Sequence, residues 1–111
     1  AWGRILRLLG LGVRGRGAVV GVEQVRTAAR RETLVLAVVA PDASRHSLDK
    51  VLPLLAAKGV AVVQGPSAEE LGQAVGREST AAIGVLDRHL ARGIQEAAGG
   101  SQELGTAGGA S

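Results

Sequence analysis

At 111 residues the chain has the length of a single domain, and an apolar share of 46% is enough for a packed core. That core must be built from small aliphatic side chains, because Trp2 is the one aromatic residue; this excludes the aromatic stacking platform on which many proteins hold single-stranded nucleic acid. The absence of cysteine excludes disulfides and thiolate metal sites, and the formal charge of +3 is lopsided: up to residue 31 seven arginines stand against one acid, Glu23, while the remainder carries six bases against nine acids. A basic end of this kind is the electrostatic footprint of a polyanion partner.

Residues 4–11 read as a first helix, with Ile5, Leu8 and Leu9 on one face. Gly10, Gly12, Gly15 and Gly17 then predict a loosened connection around Arg14 and Arg16. Residues 18–20 form a short strand. Residues 22–31 form a helix with Val22, Val25 and Ala29 inside and Glu23, Gln24, Thr27, Arg30 and Arg31 outside. The first turn of that helix has N–H groups without helical partners at the positive end of the dipole, a place that can receive a phosphate.

The valine-rich run 34–40 has the continuity of a strand buried on both faces, and it is far shorter than the roughly 20 residues of a membrane-crossing helix. Arg4, Arg7 and Arg14 interrupt the N-terminal apolar stretch, which does not fit a signal peptide, so the expected compartment is the cytoplasm. Residues 41–44 turn the chain into a helix over 47–58, where Pro53 predicts a kink or a late start. Gly59 ends it, 60–64 is a strand and 65–66 a turn. Ser67 stands three residues before Glu70, the spacing of a capping box, and the helix it opens runs to about Val75 and stops at Gly76. A strand over 81–86 follows, and Asp87 caps a last helix reaching about Ala98. Glycine, alanine and serine dominate from Gly99 onward, so the chain divides into a domain over 1–98 and a disordered tail over 99–111. Helices alternating with short buried strands predict an α/β domain with helices on both faces of a small sheet.

Three constellations mimic chemistry. Residues 10–15 spell G-x-G-x-x-G, but they follow a helix rather than a strand, which argues against a dinucleotide fingerprint, and no G-K-[ST] phosphate loop is present. Asp42, Ser44 and His46 have the letters of a hydrolase triad within one turn, whereas such triads assemble from separate segments; a polar turn opening a helix explains all three. His46 and His89 stand alone, without metal-ligand spacing, and Glu69 with Glu70 suits a first helical turn. No catalytic residue, metal or cofactor is assigned.

The order of elements and several local sequences resemble the ribosomal-protein family that binds kink-turn RNA, the L-seven-Ae and L-thirty-e group, in its small bacterial members. The likeness covers residues 5–94. It is carried by Leu9-Gly10-Leu11 with the basic loop after it, Val20-Gly21-Val22-Glu23-Gln24-Val25 at the start of the second helix, the turn Val39-Ala40-Pro41-Asp42-Ala43-Ser44, the strand Gly59-Val60-Ala61-Val62, and above all Glu70-Leu71-Gly72-Gln73-Ala74-Val75-Gly76-Arg77-Glu78 at a helix end.

The resemblance implies a three-layer α-β-α sandwich around a small mixed four-stranded sheet. It also implies structured RNA, of kink-turn or ribosomal type, as the partner, with ribosomal or ribonucleoprotein assemblies as company and no membrane. RNA would lie between the start of the second helix and a loop over 77–82. Gly21 would allow close approach, Gln24 would meet a guanine edge, and Ser79 and Thr80 would lie near the tip of a loop covering a flipped nucleotide. Arg14, Arg16, Glu23, Thr27, Arg30 and Arg77 complete the expected RNA-binding set.

Two positions depart from the family pattern. Glu23 stands where many members have Asn or Lys, and Thr27 where many have Lys. Arg26 and Arg30 are placed to compensate for the carboxylate; alternatively Glu23 pairs with Arg26. The alternative function is a protein-interaction scaffold on the same fold with lost RNA recognition.

Overall fold

A computed structural model describes residues 2–106, residues 100–106 as backbone alone. The elements follow in the order α1 (Gly3–Arg14), β1 (Ala18–Val20), α2 (Val22–Arg30), β2 (Leu36–Val39), α3 (Arg45–Ala57), β3 (Ala61–Gln64), α4 (Ala68–Ala74), β4 (Ala82–Val85) and α5 (Arg88–Thr106). The four strands form one mixed sheet in the order β1-β4-β2-β3. β2 and β3 are parallel, with Leu36 opposite Ala61, while β4 runs antiparallel to both β1 and β2.

Strand alternation divides the core in two. Leu36, Val38 and Ala40 point to one face, where Ile5 and Leu9 of α1, Leu71 of α4 and Ala91 and Ile94 of α5 cover them. Ala37 and Val39 point to the other, against Val25, Ala28 and Ala29 of α2 and Val51 and Leu55 of α3. This is the expected three-layer α-β-α sandwich. Each fully buried Val, Leu or Ile contributes roughly 1.5–3 kcal/mol relative to exposure, so a core without large aromatics depends on many such residues packed closely.

Close packing explains where the glycine reading of the N-terminus fails. Gly10 and Gly12 are buried inside α1, which continues to Arg14, instead of loosening the chain after Leu11. A Cβ on Gly10 would lie 2.8 Å from the Ala74 carbonyl oxygen of α4, and one on Gly12 would collide with Leu90 of α5. These glycines let three helices approach one another, and their helical backbone removes the dinucleotide-loop reading.

Two other boundaries move. α3 begins at Arg45 because Ser44 accepts the Ser47 N–H at 3.1 Å, and it runs through Pro53. α5 continues past Ala98 to Thr106; the glycines at 99 and 100 each cost only about 1 kcal/mol relative to alanine in a helix. Of the tail expected over 99–111, residues 99–106 thus belong to α5 and residues 107–111 lie outside the described residues. Among the described residues, no helix is long and apolar enough to cross a membrane.

Candidate nucleic-acid interface

β1 delivers the chain to Gly21, whose φ of 101° and ψ of 157° strain any L side chain, although a Cβ there would meet nothing within 4 Å. The backbone path requires this glycine; the available space does not. Its N–H donates to the Ala82 carbonyl at 2.9 Å, and its carbonyl accepts the Val25 N–H at 3.0 Å. No side chain caps α2. The N–H groups of Val22, Glu23 and Gln24 therefore have no partner among the described residues and face outward along the helix axis.

α2 presents Glu23, Gln24, Thr27 and Arg30 on its exposed side. The Gln24 amide makes no hydrogen bond among the described residues, leaving a donor and an acceptor available together. Glu23 is paired, but not by its own helix. Lys50 Nζ of α3 approaches its carboxylate at 3.5 Å, and the Glu23 side chain remains 71% exposed. Arg26 is turned away and donates to the Lys50 backbone carbonyl at 2.6 Å. The partner of Glu23 is thus Lys50 and not Arg26 or Arg30, a cross-helix contact that no spacing within residues 22–31 reveals.

The loop between α4 and β4 is fastened at both ends. Near α4, the Arg77 N–H donates to the Gly72 carbonyl at 2.7 Å, and the Ser79 backbone occupies the space that a Cβ on Gly72 would fill. Near β4, the Ala40 N–H donates to the Ala81 carbonyl at 2.8 Å. The loop thus arrives at Ala82, the residue that holds Gly21. Arg77, Glu78 and Ser79 are exposed.

Thr80 departs from expectation. It is only 9% exposed, its N–H donates to the Ala68 carbonyl at 3.0 Å, and its Oγ1 donates to the Ala82 carbonyl at 3.3 Å. Its hydroxyl anchors the loop instead of lying at an accessible tip. Ala82, expected at the end of the nucleotide-covering loop, is fully buried in β4.

The two arginines of the N-terminal connection lie elsewhere. Arg16, at φ 63°, precedes the start of β1, where Gly17 accepts the Leu86 N–H at 2.8 Å. That is the end of the β1–β4 ladder opposite Gly21, roughly 10 Å away along three residues of strand. Arg16 therefore does not join the cluster at Gly21. Arg14 lines a groove of about 340 Å³ between the last turns of α1 and α4, with residues 73–76 as its other wall, and so borders the loop from the side away from α2.

The triad letters dissolve into capping. Asp42 Oδ1 accepts the Ala68 N–H at 2.9 Å and Ser44 caps α3, so both have structural work that keeps them from acting together. His46 is exposed on the first turn of α3.

Among curated proteins, no sequence matches this chain. Solved structures do. A protein with unknown function from Bacillus halodurans C superposes with a TM-score of 0.77 at 30% identity, over 84% of this chain and 94% of that one. The Giardia lamblia 15.5kD RNA binding protein superposes with a TM-score of 0.73 at 23% identity, over 91% of this chain and 87% of that one, a likeness of fold. The sequence model of the ribosomal protein L7Ae/L30e/S12e/Gadd45 family matches residues 4–91, and with the same sandwich, the open helix start at Gly21 and the Gly72 loop in place, this chain belongs to that family.

Proposed function

We propose that the chain is a non-enzymatic RNA-binding protein of the cytoplasm that grips structured RNA, of kink-turn or ribosomal type, between the start of α2 and the α4–β4 loop. The observation that carries this reading is the uncapped start of α2: three amides without partners and the Gln24 amide, next to a loop tied to the same strand residue, Ala82. Amides at a helix N-terminus suit a phosphate, and the Gln24 side chain suits a base edge in a groove opened by a kink. Family membership and the fold shared with a Giardia lamblia protein described as RNA binding support it. On this reading Gly21, Gln24, Arg77 and Ser79 contact the RNA, Arg30 and Thr27 flank it, and Lys50 offsets a small part of the repulsion between Glu23 and a guanine oxygen.

The Glu23 carboxylate favours a second reading, a protein-interaction scaffold, because an exposed ion pair at 3.5 Å offsets little of that repulsion. Gel shifts separate the two. A kink-turn RNA is expected to bind better than the same RNA with its G·A pairs changed to Watson–Crick pairs; equal affinities remove kink-turn recognition. Each phosphate contact is expected to add about 0.7–0.9 to the slope of log K against log[salt], and a flat response removes RNA binding in favour of the scaffold.

A further inference from the structure

We propose that the outer face of α1, through Arg4, Arg7 and Arg14, is a second phosphate-contacting surface that holds the backbone of a double-stranded RNA stem adjoining the segment gripped at α2. The proposal rests on the RNA-binding reading for its partner, but its residues and its readout are separate.

Positions 4, 7, 11 and 14 repeat at helical spacing and are all exposed, while Ile5 and Leu9 on the opposite side are fully buried. The stripe rises about 15 Å from Arg4 to Arg14 along a straight helix. None of its three guanidinium groups has a hydrogen-bond or ion-pair partner among the described residues; the two ion pairs found there both use lysines, far from α1. α1 contains no acid.

This arrangement works against the isolated protein. Arg4 puts a cation in the first helical turn, where the dipole disfavours it, and Arg7 adds a like charge three residues on. The neighbouring α5, packed antiparallel through Leu90 against Gly12 and Gly93 against Leu8, gives little relief, since its exposed charges up to residue 99 are Arg88, Arg92 and one acid, Glu96. α4, the other helix packed on α1, carries the exposed acids Glu69 and Glu70, but neither forms an ion pair with the stripe among the described residues. A polyanion supplies the missing counter-charges.

The charge pattern also says which polyanion. An interfacial helix would need an apolar face for the bilayer, but that face of α1 is already spent on the core, leaving Leu11 alone on the stripe. A flexible single strand would need stacking surfaces that the stripe lacks. A row of guanidinium forks on a rigid helix suits the regular phosphates of a stem. The stripe also leads to the candidate interface, because Arg14 lines the α1–α4 groove with Gly76, the residue before Arg77.

The test uses the full chain, a kink-turn RNA with one flanking stem of a full helical turn, and the same RNA with that stem cut to a few base pairs. The triple variant Arg4→Gln/Arg7→Gln/Arg14→Gln is expected to weaken long-stem binding about tenfold or more and to lower the salt slope by about 2–3. Shortening the stem is expected to weaken the wild type but not the variant. The corresponding Arg→Lys triple, which keeps the charges, is expected to retain most of the slope. Equal wild-type affinity for both stems, an unchanged slope in the glutamine variant, or loss of binding to phosphatidylserine vesicles in that variant with RNA binding intact would each overturn the proposal. Gln24→Ala keeps the two ideas apart: if it binds as the wild type does while the stem effects hold, the α2 reading fails and this one stands, whereas a wild type that binds neither RNA overturns both.

Discussion

The starts of α2 and α4 lie close together at one end of the sheet and solve the same problem in opposite ways. At α4, the Ser67 hydroxyl accepts the Glu70 N–H at 3.2 Å, Glu70 Oε1 accepts the Ser67 N–H at 3.2 Å, and Asp42 Oδ1 reaches across to the Ala68 N–H. Glu69 and Glu70 add negative charge where the dipole favours it. At α2, a glycine replaces the cap and the amides have no partner among the described residues. A capped start spends its amides on the fold; an open one keeps them for a ligand and, with glycine at the cap position, forgoes only about 0.3 kcal/mol of capping. The contrast supports the proposal that an anion docks at α2 and not at the acidic start of α4.

Gly72 links the two starts, because the Ser79 backbone rests on it and the loop then runs to Ala82 beneath Gly21. Gly72→Val puts branched carbon into backbone that cannot yield without moving the loop. It is expected to give the largest effect, a loss of about 1–3 kcal/mol in a urea melt with weakened RNA binding, since overpacking displaces the element it strikes. Unchanged stability and affinity would mean that the loop is not held in place by this contact.

A paired experiment tests the contrast itself. Ser67→Ala should cost about 1 kcal/mol of stability through the lost cap and leave RNA affinity alone. Gln24→Ala, exposed and without partners, should leave stability within about 0.5 kcal/mol and weaken specific RNA binding by about 1–3 kcal/mol. It should also weaken it more than Arg45→Ala on α3 does. A Ser67→Ala protein that loses RNA affinity while Gln24→Ala keeps it would move the site to α4.

Patterns that act along the chain were legible in the sequence. The valine run 34–40 announced a strand covered on both sides, Ser67 and Glu70 announced their capping box, and Gly21 before Glu23-Gln24 announced an open helix start. Contacts that act across the chain were not. Gly10 and Gly12 looked like loop residues because their reason, the approach of Ala74 and Leu90, comes from helices more than sixty residues away. The Glu23–Lys50 pair was hidden for the same reason, since Lys50 belongs to another helix. Thr80 read as a polar loop residue, and only the fold shows its hydroxyl bound to Ala82. Arg16 shares a short basic segment with Arg14, yet the intervening turn and β1 carry it to the far end of the ladder.

The start of α5 differs again: the residue that caps it from the N-cap position is itself a carboxylate, where α4 has the Ser67 hydroxyl. Asp87 Oδ1 accepts the Leu90 N–H at 3.0 Å, and this bond, helped by the His89 N–H and the nearby imidazole, holds the carboxyl below its ordinary value against a smaller opposing effect of burial. A carboxyl depressed in the folded state stabilises the fold above its unfolded value, about 3.9 for an aspartate, and the contribution disappears as pH falls through the lower folded value. Asp87→Asn keeps a capping oxygen but cannot titrate. Urea midpoints of the two proteins should therefore differ by a constant amount above about pH 5 and converge or cross as acid protonates Asp87, the smallest of the expected effects because the group is exposed. A difference that stays constant down to about pH 2 would mean that the depressed carboxyl contributes nothing to folding, leaving the Asp87 cap to act as Ser67 does, through geometry alone.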